Sequence, residues 1–149
     1  MAELELHYDR LGSRLKRIGP AEIRYDRLGS RPRRVGNLEL AYDRAGSRLR
    51  SIGAAAIEYD RLGSRPRTLG AWELDYDLLG SRLRRIGTYE VHYDTLGSRV
   101  RTIGPMTVEY DQLGSRPKRV IVPGTEPALG DDDLAALFLA LRLQQDESE

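Results

Sequence analysis

A Tyr-Asp pair recurs at positions 8, 25, 42, 59, 76, 93 and 110, always 17 residues apart. Each copy continues into Gly, Ser and Arg, as in Tyr8-Asp9-Arg10-Leu11-Gly12-Ser13-Arg14. The period never slips. A fixed short period means one supersecondary unit laid beside its copies, each needing its neighbours to cover its apolar face. The architecture can therefore be read from one unit.

In the first unit Leu4, Leu6 and Tyr8 alternate with Glu5, His7 and Asp9. Period two marks a half-buried strand with the apolar residues inward. Tyr25, Tyr42, Tyr59, Tyr76, Tyr93 and Tyr110 repeat the pattern, so these tyrosines are expected to face the core. Asp-x-x-Gly is turn chemistry: Asp accepts from backbone N–H groups ahead of it and Gly permits positive φ. A four-residue loop then sets Asp9 opposite Arg14 and Tyr8 opposite Leu15. Leu15 and Ile18 are three apart, so both face inward only if the second strand is bulged, near Arg17. The Leu15 position is Pro at 32, 66 and 117. Pro donates no hydrogen bond, which puts that position outside the ladder or at the bulge. Glycines 19 to 104, again 17 apart, close each unit. Glu5, Glu22, Glu39, Glu73 and Glu90 should lie on the outer face beside Arg or Lys at 14, 16 and their equivalents, as a ladder of weak ion pairs.

Seven hairpins make an antiparallel up-and-down meander of about 14 strands, spanning 1–122. The pattern stops at Ile121, where Gly is due. Residues 123–130 read as a linker. Asp131-Asp132-Asp133 then supplies an N-cap and negative charge at the positive end of a helix dipole, starting a helix over 131–145. Residues 146–149 read as a disordered acidic tail. Leu137, Phe138 and Leu141 share a helical face with Leu134, while Ala136, Leu139, Ala140 and Leu143 make the other faces apolar. Such a helix wants burial all round. Fourteen strands spaced ~4.8 Å and tilted ~40° close with a radius of ~14 Å. That leaves room for a helix plus large inward groups such as Trp72. The expected fold is all-β with one C-terminal helix plugging a closed barrel.

The repeat resembles the YD repeats of Rhs and teneurin-type shell proteins, with an extra Ser after each Gly and a shorter, stricter period. That resemblance implies hairpin units wrapping a cavity, but seven hairpins are too few for an enclosing shell. The plan of a meander around a C-terminal helix is similar to tubby-like and LURP-one or scramblase-like barrels. That architectural likeness implies lipid or phosphoinositide contacts.

Chemistry is sparse. The chain has no Cys, so disulfides and thiolate metal sites are excluded. His7 and His92 occupy the same position in copies one and six, too far apart to share a metal. The loop serines, Ser13 to Ser115, have no neighbouring base. A residue repeated seven times points to structure rather than catalysis, and no catalytic residue, metal or cofactor is expected. The net charge of +1 is split. Residues 1–122 carry 23 Lys/Arg against 16 Asp/Glu, and 123–149 carry 1 against 7. With no signal peptide pattern and no apolar run near ~20 residues, the cytoplasm is the expected location.

The sequence supports a non-enzymatic interaction or scaffold module, monomeric, with an unnamed partner. One alternative is an anionic-ligand binder, for a phospholipid headgroup or nucleic acid. Its site would be a basic arc of the loop rim: Arg10, Arg27, Arg44 and Arg61, backed by Arg14, Arg31, Arg48 and Arg65. Another is self-association, should the sheet stay open and its edges join chains.

Overall fold

The computed structural model describes residues 1–9, 14–26, 31–43, 48–60, 65–77, 82–94, 99–111 and 116–148. The first strands of the seven hairpins are β1 (Ala2–Tyr8), β3 (Ala21–Tyr25), β5 (Leu38–Tyr42), β7 (Ala55–Tyr59), β9 (Trp72–Tyr76), β11 (Tyr89–Tyr93) and β13 (Met106–Tyr110). Their partners are β2 (Leu15–Ile18), β4 (Pro32–Val35), β6 (Leu49–Ile52), β8 (Pro66–Leu69), β10 (Leu83–Ile86), β12 (Val100–Ile103) and β14 (Pro117–Val122). Each strand pairs antiparallel with its chain neighbours, and β1 pairs with β14, so the meander is a closed barrel.

Within each hairpin Tyr lies opposite the Leu15-type residue, as Tyr8 opposite Leu15, but the next pair is His7 with Arg17. Lys16 is the extra residue, so the bulge lies beside Arg17, where the spacing called for it. The other hairpins repeat the shift. This bulge lets Leu15 and Ile18 both turn inward while Lys16 stands in solvent. It also corrects the outer ladder. Position 17, not 16, lies opposite the acidic residue of the next first strand, as Arg17 opposite Glu22 and Arg34 opposite Glu39.

Hairpins are joined at the opposite end by two-residue turns, Gly19-Pro20 being the first, with Ile18 opposite Ala21. Gly19 has φ +55, and no other residue type takes positive φ among the described residues. Positive φ at the first turn residue alone is the II′ pattern, whose twist matches that of the strands. At Gly87, φ is +57 and a Cβ would lie 2.7 Å from the Trp72 ring. Only glycine fits there.

Ile121 explains how the ring shuts. Without Gly no turn forms, and β14 runs on to Val122. The extra length pairs with the longer β1: Ala2 opposite Val122, Glu3 opposite Ile121, Leu4 opposite Val120.

No helix or strand occurs within 123–130. Helix α1 (Asp131–Ser148) outlasts the expected end at 145, so 146–148 are helical rather than a disordered tail. The N-cap is Gly130, whose carbonyl accepts from Leu134 N–H at 2.9 Å, and the three aspartates fill the first turn instead. All seven residues from Leu134 to Ala140 are buried, and Leu137 is 0% exposed. Consecutive burial over almost two turns means contact on every side, so the helix occupies the barrel interior. Leu4, Ile18, Ile52, Leu69, Ile86 and Ile103 line the wall around it, and among the described residues no polar or charged residue is buried. No helix of the described residues is long and apolar enough to cross a membrane.

Leu137→Ala is expected to cost ~3 kcal/mol, the range for a large-to-small change in a closed core. Urea unfolding measures it. Truncation after Gly130 is expected to abolish cooperative unfolding and to expose dye-binding apolar surface.

Candidate functional site

At the end of the barrel where Asp9, Arg14 and their equivalents lie, each strand pair finishes with Asp9 N–H donating to the Arg14 carbonyl, at 2.9–3.0 Å in all seven copies. The Arg side chain then folds back. Its Nε meets the same Asp at 2.7–3.6 Å. Its guanidinium lies over the Tyr of the next repeat, 4.3–4.6 Å from the ring centroid: Arg14 over Tyr25, Arg31 over Tyr42, and so on. Arg116 over Tyr8, at 4.4 Å, closes the ring. A cation over an aromatic face is drawn to the ring quadrupole, and the Asp holds it there.

The tyrosine hydroxyls bind the hairpins to one another. Each donates to the carbonyl of the Leu15-type residue of the preceding repeat. The distance is 2.6–2.8 Å in six copies, with Tyr59 donating to Leu49 in the seventh. Tyr8 donates to Pro117 across the seam. The tyrosines therefore face the core, as alternation predicts, and pack against it half-buried, as gaskets at the mouth. Pro is tolerated at 32, 66 and 117 because this position contributes its carbonyl. The corresponding N–H of Val100 goes to Gln144 of the plug, at 2.6 Å.

The plug is tied at both ends. Gln144 Nε2 donates to Tyr110 Oη at 3.1 Å, and Arg142 donates to Tyr42 Oη at 3.1 Å. At the far end Tyr89 donates to Asp133 Oδ1 at 2.5 Å, with Trp72 edge-on against Tyr89 at 5.4 Å.

Arg14, Arg31, Arg48 and Arg65 are thus brought together on one arc, each joined to its own Asp (Asp9, Asp26, Asp43, Asp60) and a tyrosine, with side chains 38–44% exposed. Arg10, Arg27, Arg44, Arg61 and Gly12 lie outside the described residues. Leu137 and Phe138 are buried in the plug and Leu141 is half-buried. His7, on β1, lies opposite Arg17, whereas His92, on β11, is 3.3 Å from Glu90; both are exposed. Among the described residues no three His, Cys, Asp or Glu are grouped as metal ligands would be. Sequence reasoning missed the plug anchors Asp133, Arg142 and Gln144, which carry no periodic signal. It also misassigned the seven bulge cations, Lys16 to Lys118, as ion-pair partners. Their signal was present: the position is basic in every copy.

No protein-family model matches the chain, and neither the curated proteins nor the solved structures yield a match.

Burial pushes the phenols of Tyr8, Tyr25 and Tyr110 above their ordinary value of 10.0. Tyr89 is raised by burial and by donating to Asp133. The unfolded chain ionises its tyrosines near 10.0 while the fold keeps these protonated, so each proton lost favours unfolding. Their contribution is whole below pH ~10 and falls above it. Alkaline titration should therefore show phenolate absorbance rising together with loss of far-UV dichroism. Tyr59→Phe, which strips the donor from the Leu49 carbonyl, should cost ~1 kcal/mol in urea unfolding.

Proposed function

We propose that the protein is a non-enzymatic interaction or scaffold module working as a cytoplasmic monomer. The observation that carries this is the plug. A barrel filled by its own helix and tied to it at both mouths leaves only its outer wall and rims to meet a partner. The seam between β1 and β14 supports a discrete unit, since closure removes the edges through which open sheets join. The wall carries exposed charges such as Glu3, Glu5 and Arg50, where a lipid-embedded barrel has an apolar band. The likeness of the hairpin to YD repeats, and of the plan to tubby-like barrels, fits a wall-building role for the motif.

A second reading is an anionic-ligand site on the rim arc of Arg14, Arg31, Arg48 and Arg65, favoured by their partial exposure. On this reading Arg10, Arg27, Arg44 and Arg61 supply further charge.

Sedimentation equilibrium at micromolar concentration should return the 16.8 kDa monomer. Higher-order species there would favour self-assembly instead. Hydrogen exchange of α1 should stay as slow as that of the strands, whereas fast exchange of 134–140 would reopen the interior as a binding cavity.

A further inference from the structure

The bulge residues form a group of their own. Lys16, Arg33 and each seventeenth residue on to Lys118 are all exposed, and among the described residues none has an ion-pair partner. The shared register sets them at one level of the barrel, so they form a belt of seven cations around the wall. The rest of the outer surface differs. Position 17 reads Arg, Arg, Ser, Thr, Arg, Thr, Arg along the repeats, and the facing position 5 is Glu in only five of the seven. Only the bulge position and the Asp–Arg–Tyr ring keep their charge in every copy, and the ring is explained by its own contacts. The barrel's other 16 Lys/Arg equal its 16 Asp/Glu in number, so the belt corresponds to the whole excess positive charge of residues 1–122.

The bulge requires an outward residue, but not a basic one. Solubility would be served as well or better by Asp or Glu. Repeat two adds a second observation. Arg24 and Arg34 lie directly opposite each other across β3 and β4, a like-charge pairing that costs stability. With Arg33 and Glu22 they line an open groove of about 460 Å³ on the outer wall. Glu22 and Glu39 reach these two arginines at 3.5 and 3.2 Å, leaving Arg33 unpaired among the described residues.

We propose that this belt binds single-stranded nucleic acid through its phosphates, without reading sequence. This names the partner of the interaction module proposed above and rests on that reading. Guanidinium forks, five of the seven belt residues, match phosphate oxygens. Curvature selects the partner. Along the wall, neighbouring repeats stand ~12 Å apart on a circle of ~14 Å backbone radius. A membrane plane or a straight duplex touches two or three belt positions at most, whereas a flexible strand follows them round. The rim tyrosines are covered by arginine and hydrogen-bonded, so none of them offers a free face to a base.

The test measures anisotropy of a labelled oligouridylate of about 30 nucleotides, between about 50 and 200 mM salt. Three proteins are compared: wild type, a belt variant (Arg50→Gln, Arg67→Gln, Arg84→Gln, Arg101→Gln) and a rim variant (Arg10→Gln, Arg27→Gln, Arg44→Gln, Arg61→Gln). The belt variant changes only exposed side chains that have no ion-pair partner among the described residues, and thermal unfolding by dichroism verifies that it is folded. Seven phosphate contacts give a log–log salt slope of about −5, and the three left in the belt variant about −2. The expected result is that pair of slopes, with duplex of equal length bound more weakly than single strand. Three outcomes overturn the proposal: no binding at about 50 mM salt; loss in the rim variant but not the belt variant; or tighter binding to heparin or phosphatidylserine vesicles than to the oligonucleotide. The first overturns the belt alone and leaves the module with another partner. Failure of the module reading shows separately, as oligomerisation or an exchanging plug.

Discussion

Everything in this protein depends on filling the space inside fourteen strands. A ring of that size has a radius of ~14 Å, beyond what wall side chains can close from both sides. An empty centre would forfeit the dispersion contacts that hold a core together. The wall alone is therefore incomplete, and a helix with apolar residues on every side is incomplete without the wall. Each supplies the environment the other needs, which is why Leu134 to Ala140 show no polar stripe. Asp131, Asp132 and Asp133 on one side and Arg142 on the other flank this stretch, toward the mouths.

The Asp–Arg–Tyr ring is the second layer of this arrangement. Six of the tyrosine hydroxyl contacts span ten residues and one, Tyr8 to Pro117, spans 109. The same chemistry that staples neighbours locally also staples the two ends of the chain. Local contacts dominate, and a single long-range seam completes the circle, so most of the loop-closure entropy falls on one event. The anchors from Arg142 and Gln144 then couple the plug to that ring, so wall and helix are fastened at the same mouth.

Much of the fold was legible because periodicity carries it. Alternation at Leu4, Leu6 and Tyr8, turn chemistry at Asp9 and Gly12, and the all-round apolar helix led to strand number, closure and plug. Leu15 and Ile18 demanded a bulge, but spacing alone left it one residue loose, between Lys16 and Arg17. That one residue decided which cations lie opposite the acidic residues of the next strand and which stand outside the ladder. The tyrosine's role was hidden for a different reason. Alternation reports which side of a sheet a residue faces, not how near the barrel mouth it sits. The contacts of Asp133, Arg142 and Gln144 depend on how far the helix is inserted, which no local pattern encodes. Of the rim arginines, the pairing of Arg14 with Asp9 was readable from the loop, but its stacking on the next repeat's Tyr25 needed the closed ring.

Repeat proteins of the open, stacked kind tolerate gain or loss of a unit, because each copy touches only its neighbours. This barrel does not share that freedom. Adding or removing one 17-residue unit changes the radius by ~2 Å, enough to leave the helix loose or to crush it. A chain of six or eight units would meet the same helix in a ring of the wrong size. The plug therefore acts as a gauge on the number of units, and seven is the number whose ring it fits.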